Sequence, residues 1–187
     1  MKILNNKYDL SIVTISNEIN DSLYRCINSC DFKTVNVQHI LVLPKNHKKK
    51  LNKSLINKDI KITYDENKGV YNAINEGLKL IKGKYIFLLH GDNFLLSNSS
   101  KTIEENLSRN SSMQFGSYFY YDGKIKNFFY TKLHFVNLLL GLFPPHHGLI
   151  LLSKDYEILG KYNEDYKICS DFEYYIRLLK NKIKIKY

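Results

Sequence analysis

Four short runs of apolar and β-branched residues, three of them followed by an amphipathic stretch, constrain this chain more than any other feature of its sequence. Residues 10–16 (LSIVTIS) give way to the polar group Asn17, Glu18, Asn20 and Asp21, the pattern of a buried strand entering a capped helix over 22–30. Residues 39–43 (HILVL) read as a second strand stopped by Pro44, and the basic stretch 48–58 follows with Leu51 and Leu55 at helical spacing. Residues 60–64 supply a third strand. Val70, Ile74, Leu78 and Ile81 then recur at the 3.6-residue period, with Asn75, Glu76, Lys79 and Lys82 on other faces. Residues 85–89 (YIFLL) are a fourth strand. Such alternation predicts βαβ units in an α/β fold, with a mostly parallel sheet covered by helices on both faces.

Beyond residue 97 the pattern loosens. A helix is expected over 102–109, a hairpin over 115–130 around Tyr121, Asp122, Gly123 and Lys124, and an apolar helix over 132–143 ended by Pro144 and Pro145. A strand follows at 148–152. The helix at 170–180 opens on Ser170, Asp171, Phe172 and Glu173, a capping-box pattern. No repeat or linker interrupts the chain, so one domain is expected.

Composition removes several classes. At 44% hydrophobic and 13% aromatic the chain is not disordered, and no run of about 18 apolar residues spans a membrane. Residues 1–9 are polar, unlike a secretory leader. Three Cys, with only Cys26 and Cys30 close together, give neither a disulfide framework nor a paired zinc pattern, which fits a reducing cytoplasm. The net charge is +10, and 25 of the 28 basic residues are Lys. That balance means either a solvated surface or attraction to an anionic partner.

In an open α/β sheet, ligands bind at the carboxyl ends of the strands. The polar residues expected there are Thr14 and Ser16, Lys45 and Asn46, Asp65, and the group His90, Gly91 and Asp92. Asp92 suits a hard cation that takes its other ligands from phosphate, or an Asx turn opening the next loop.

Residues 67–93 (NKGVYNAINEGLKLIKGKYIFLLHGDN) resemble the core of the family 2 glycosyltransferases of GT-A fold, with Asn67, Gly69, Ala73, Asn75, Gly77, Gly83, Tyr85, Ile86 and Asp92 at that family's spacing. LSIVTIS is similar to the family's first strand. Residues 147–178 are similar to its later section, where a His behind a Pro-rich turn precedes a strand, a helix, a Gly and an Asp-headed helix. The likeness spans most of residues 8–180 and is nearest the branch that builds bacterial surface polysaccharides.

The resemblance implies a Rossmann-like GT-A domain over 1–187, with a donor half at 8–96 and an acceptor half at 97–187. Because the chain stops soon after the Asp171 helix, where relatives continue, it reads as a truncated or short member. The implied reaction moves a sugar, with inversion, from a nucleotide-sugar to a hydroxyl of a surface glycan or a lipid-linked acceptor, aided by manganese or magnesium. By position in the motif, Asp92 takes the metal that bridges the donor diphosphate, while His90 and Asn93 stand where acids often lie. Thr14, Ser16, Lys68, Asn72, His90, Gly91 and His147 fall on donor-side positions, with Lys68 and Asn72 facing phosphates or solvent and His146 beside His147. Asp171 falls on the general base; read without the resemblance it only complements the helix dipole. UDP-sugars are the favoured donors, but LVLPKN offers only Lys45 and Asn46 where many relatives carry a uracil-reading Asp.

Residues 128–143 (FFYTKLHFVNLLLGLF) hold more apolar surface than one helix needs. They read as core or, with the Lys-rich surface, as a patch resting on the inner membrane face of a cytoplasmic protein. Rival readings are a non-catalytic glycan-binding or scaffold member of the fold and a nucleotidyltransferase, whose Gly-rich phosphate loop is missing from SIVTISNEIN. A nucleic-acid partner is not expected, because no recognised module is present.

Overall fold

The computed structural model of the protein describes residues 7–187 apart from 48, 57, 122 and 123. In chain order the elements are β1 (Tyr8–Ile15), α1 (Asp21–Ser29), β2 (Val37–Pro44), β3 (Lys61–Asp65), α2 (Val70–Leu78), β4 (Gly83–His90) and α3 (Ser99–Leu107). They continue as β5 (Ser112–Gln114), β6 (Ser117–Tyr121), β7 (Lys124–Phe129), α4 (Phe135–Leu139), β8 (Leu149–Leu152), α5 (Ser153–Leu159), α6 (Ser170–Lys180) and β9 (Ile185–Lys186).

The main sheet has the strand order β3-β2-β1-β4-β8-β5-β9. Strands β1 to β4 pair in parallel, as the alternating sequence pattern requires, whereas β8 runs antiparallel to both β4 and β5. Side chains alternate across this sheet. Val13, Ile15, Ile40, Val42, Ile86 and Leu88 meet α2 and α6 on one face, while Leu10, Ile12, Tyr85, Phe87 and Leu89 meet α1 and α3 on the other. Burial of both faces is why these strands carry continuous apolar runs. Helix α2 lies close enough that a Cβ on Gly77 would strike the side chains of Val13 and Val42.

Several expectations are corrected. The stretch 48–58 contains, among its described residues, only a single 3-10 turn at Lys53–Leu55. There the Asn52 side chain accepts from the backbone and hydroxyl of Ser54, a local turn that competes with helix, and Leu55 stays exposed. The helix expected over 132–143 shrinks to α4, because Gly141 turns to φ +71° and the Leu142 amide folds back onto the Asn137 carbonyl. The capping box at α6 does not form: Cys169 is the N-cap at φ 69°, the Glu173 amide donates to its carbonyl, and the Glu173 carboxylate pairs with Arg177. The Ser170 hydroxyl is left buried without a hydrogen-bond partner. Strands β6 and β7 pair as the hairpin predicts, with a register irregularity between Phe119 and Tyr120. Its turn residues Asp122 and Gly123 lie outside the described residues. Among the described residues no helix is long and apolar enough to cross a membrane.

Candidate active site

A cleft of about 650 Å³ opens at the carboxyl ends of β1, β3 and β4. The chain leaves β1 toward β2 on one side and returns to β4 on the other, so the cleft sits where the direction of winding reverses. Ser16, Asn17, Glu18 and Asn20 line it from the β1–α1 loop, Asp65, Asn67 and Gly69 from the β3–α2 connection, and His90, Gly91 and Asp92 from the end of β4.

The closeness of two loops shapes the floor. The Gly91 amide donates to the Ile15 carbonyl at 2.9 Å, and a Cβ at Gly91 would meet the Ser16 side chain at 2.8 Å. Glycine is thus required sterically, not for a special φ. Ser16 in turn donates from its hydroxyl to the Glu18 carbonyl at 2.7 Å, holding the loop that walls the cleft.

Behind Asp92 stands a cluster of three histidines. The His90 ring lies 4.5 Å from that of His147 and 6.4 Å from that of His146, centroid to centroid. Burial, reinforced by the neighbouring rings, holds His90 and His146 down to about 3, and burial also lowers His147, so all three are neutral imidazoles at ordinary pH. Nε2 of His90, Nδ1 of His147 and both nitrogens of His146 are buried without hydrogen-bond partners. The negative charges of Asp92 and Asp171 oppose that lowering at His147 without overcoming it.

Asp171, at the start of α6, accepts from the Tyr71 hydroxyl at 3.2 Å and from the Phe172 amide at 2.9 Å. Tyr71 comes from α2 and stacks on Tyr162, which stacks on Tyr174 at 4.2 Å. Burial and the Asp171 charge keep the Tyr71 phenol above its ordinary range, so it remains a donor. Nearby acids are already engaged. Glu164 accepts from Asn72 and Asn75 at 2.9 and 2.8 Å, which lowers its proton affinity, and Glu173 is paired with Arg177.

The residues singled out by sequence thus separate into groups. Ser16, His90, Gly91 and Asp92 line the cleft, His147 packs against His90 behind them, and Asp171 lies outside the lining, bonded to Tyr71. Thr14 is a correction: it is fully enclosed and its hydroxyl bonds to Nε2 of His39 at 2.8 Å, inside the sheet. Asn72 is another, since it faces neither phosphate nor solvent but is buried against Glu164. Lys68 is exposed and pairs with Glu66 at 2.5 Å, between the lining residues Asn67 and Gly69 but not itself part of the lining. Sequence reasoning missed Asn17, Glu18 and Asn20, whose only signal was their place in the first loop, and Tyr71, whose link to Asp171 bridges 100 positions of chain. Cys26 and Cys30 are buried thiols, as expected.

Comparison with known proteins agrees with this geometry. The chain has the fold of S. aureus TarS, with a TM-score of 0.65 at 13% identity over 90% of this chain and 33% of that one. The TarS 1–349 fragment in complex with UDP-GlcNAc gives the same TM-score and identity, over 90% of this chain and 52% of the fragment. The chain therefore spans a third to about half the length of these structures. The 4-diphosphocytidyl-2C-methyl-D-erythritol synthase of Anaerococcus prevotii shares the fold at a TM-score of 0.57 and 12% identity, over 95% of this chain and 85% of that one. No curated protein sequence matches. The sequence pattern of glycosyl transferase family 2 matches residues 11–175, so the chain belongs to that family.

Proposed function

We propose that this domain transfers a sugar from a nucleoside-diphosphate sugar, a UDP-sugar foremost, to an acceptor hydroxyl with inversion at the anomeric carbon. The observation that carries the reading is a cleft at the strand ends lined by His90 and Asp92, with His147 packed against His90 and the Asp171 carboxylate outside the lining, held by the Tyr71 hydroxyl. Inversion needs that separation of tasks. The acceptor oxygen attacks the sugar from the face opposite the departing diphosphate, so the proton acceptor and the diphosphate site must lie on different sides of the anomeric carbon. Asp171 takes the acceptor proton, and the Tyr71 hydroxyl fixes the orientation of its carboxylate. His147 brings a neutral imidazole whose unpartnered Nδ1 is able to donate to the diphosphate without adding charge. Asp65, 6% exposed yet lining the cleft, supplies a carboxylate for the imide N–H of uracil, the role the second strand lacks.

Among the described residues no group of three His, Cys, Asp or Glu side chains is arranged to hold a metal ion. The chemistry of the site fits a manganese or magnesium ion that takes most of its ligands from phosphate and water. Asp92, exposed at the rim, and the unpartnered nitrogen of His90 beside it would hold the ion from the protein side. When bound, it would neutralise the charge developing on the diphosphate. The TarS fragment solved with UDP and with UDP-GlcNAc supports the nucleotide-sugar class of donor. The acceptor is a glycan or lipid-linked hydroxyl of surface polysaccharide synthesis.

Calorimetry of UDP binding with and without manganese tests the reading. We expect tighter binding in manganese, and Asp92→Ala to remove about 10-fold or more of that gain while leaving metal-free binding and the fold unchanged. A variant that binds UDP in manganese as tightly as the parent would overturn the metal assignment.

A further inference from the structure

An apolar face is left uncovered on α4. Phe135, Val136, Leu139 and Leu140 project from one side of this helix and are between 51% and 70% exposed, while Leu138 alone turns inward. Leu142 and Phe143 extend the face along the chain, and Phe129 and Tyr130 stand exposed at the end of β7. Contiguous exposed side chains of this size mark a contact surface.

The chain segment that carries the face, and the one that packs beside it, are basic. Residues 123–154 contain no Asp or Glu but include Lys124, Lys126, Lys132 and Lys154, and residues 174–187 again contain no acid but include Lys180, Lys182, Lys184 and Lys186. The structure brings the two segments together: the Tyr187 hydroxyl accepts from the Leu133 amide at 2.7 Å, and its ring meets Tyr130 at 6.2 Å.

We propose that this face docks on an anionic lipid bilayer, its apolar side chains entering the headgroup boundary while the lysines meet lipid phosphates. Charge selects the occupant. A second copy of the chain would set these two acid-free, lysine-bearing segments against their own like, whereas lipid phosphates complement them. The face also adjoins the acceptor side of the site, since Phe143 meets Phe172 edge-on at 5.4 Å, and Phe172 follows Asp171. An acceptor hydroxyl offered from the membrane surface is the consequence. That consequence rests on the glycosyl-transfer reading; the docking does not, because vesicle binding needs neither donor nor turnover.

Flotation with vesicles of phosphatidylcholine alone, and of phosphatidylcholine mixed with phosphatidylglycerol, is the test. We expect the mixed vesicles to bind the protein about 10-fold or more tightly than the neutral ones, with the difference shrinking at high salt. The double variant Leu139→Glu, Leu140→Glu should lose at least about 10-fold in binding with an unchanged melting temperature, because both side chains already face solvent. Lys184→Gln with Lys186→Gln should keep the apolar face but reduce the preference for anionic lipid. Equal partitioning to both lipids, binding to neither, or undiminished binding by the Leu139, Leu140 variant would overturn the proposal. So would a concentration-dependent dimer, formed without vesicles and abolished by that variant, which would assign the face to a second copy.

Discussion

The N-terminal part of the molecule, residues 7–96, and the part that follows, residues 97–187, solve the problem of burial differently. In the first, the four strands are five to eight residues long and run parallel, with β1, β2 and β4 covered on both faces and only the edge strand β3 left partly open. In the second, strands are two to six residues long, mix directions, and leave Phe135, Leu139 and Leu140 facing solvent. The site draws on both. The first part supplies the cleft floor with His90, Gly91 and Asp92, and the second supplies His147 and Asp171 from a region with fewer buried contacts. What the contrast teaches is that a site can be assembled from one wall of long, deeply buried strands and another of short, mixed ones.

The largest effect expected from that division falls on chemistry without disturbing the fold. Asp171→Asn keeps the acceptor oxygen used by Tyr71 and sits in the first turn of α6, so thermal melting should show a loss of at most about 1 kcal/mol. Transfer should fall by about 100-fold to 10,000-fold with UDP affinity preserved. Near-normal transfer would remove the base from the second part of the molecule.

Stability should divide in the opposite sense. Ile74→Ala opens a cavity beneath α2 and should cost about 2–5 kcal/mol by urea denaturation. Leu139→Ala, on the exposed side of α4, should stay within about 0.5 kcal/mol. Equal costs would mean that α4 is covered in solution.

Acid sharpens the comparison, because each part hides a fully enclosed histidine away from the cleft lining. Burial holds His39 in β2 and His146 before β8 down to about 3. The native state keeps both neutral while the unfolded chain takes up protons below about 6.5, so the stability they contribute is present above that pH and lost as pH falls from there toward 3. Each should cost about 2 kcal/mol between pH 6.5 and 5, read as a falling urea midpoint. A midpoint that is flat across this range would show that both rings reach solvent.

The smallest effect should come from Tyr71→Phe, which removes the hydroxyl that one part of the molecule extends to the base on the other. A lost hydrogen bond to a charged group should lower kcat about 10-fold while the donor KM is unchanged. An unaltered kcat would leave Tyr71 a packing residue only.

Much of this was legible before the structure. The apolar runs at 10–16, 39–43 and 85–89 announced the central parallel strands because a strand buried on both faces has no polar side to alternate, and the 3.6-residue spacing of Val70, Ile74 and Leu78 announced α2. The group His90, Gly91, Asp92 was found because the end of a central parallel strand is where such sheets expose chemistry. Thr14 and Asn72 misled because a polar residue near a strand end or helix start can be satisfied internally, by His39 and Glu164 here, and its partner is far away in the chain. The basic stretch 48–58 misled because two leucines at helical spacing are too little apolar surface to hold a helix against a side-chain turn at Asn52.

The sequence by itself therefore determined the family, the α/β alternation and the cleft at the strand ends, all of which follow from local periodicity and from motifs within single segments. Only the tertiary structure decided that β8 turns antiparallel, that α4 is a single short piece with an uncovered face, and that Tyr71 meets Asp171. Those outcomes depend on which distant segments find each other, and the energy that chooses among them lies in side-chain packing between residues a hundred positions apart, where no local pattern records it.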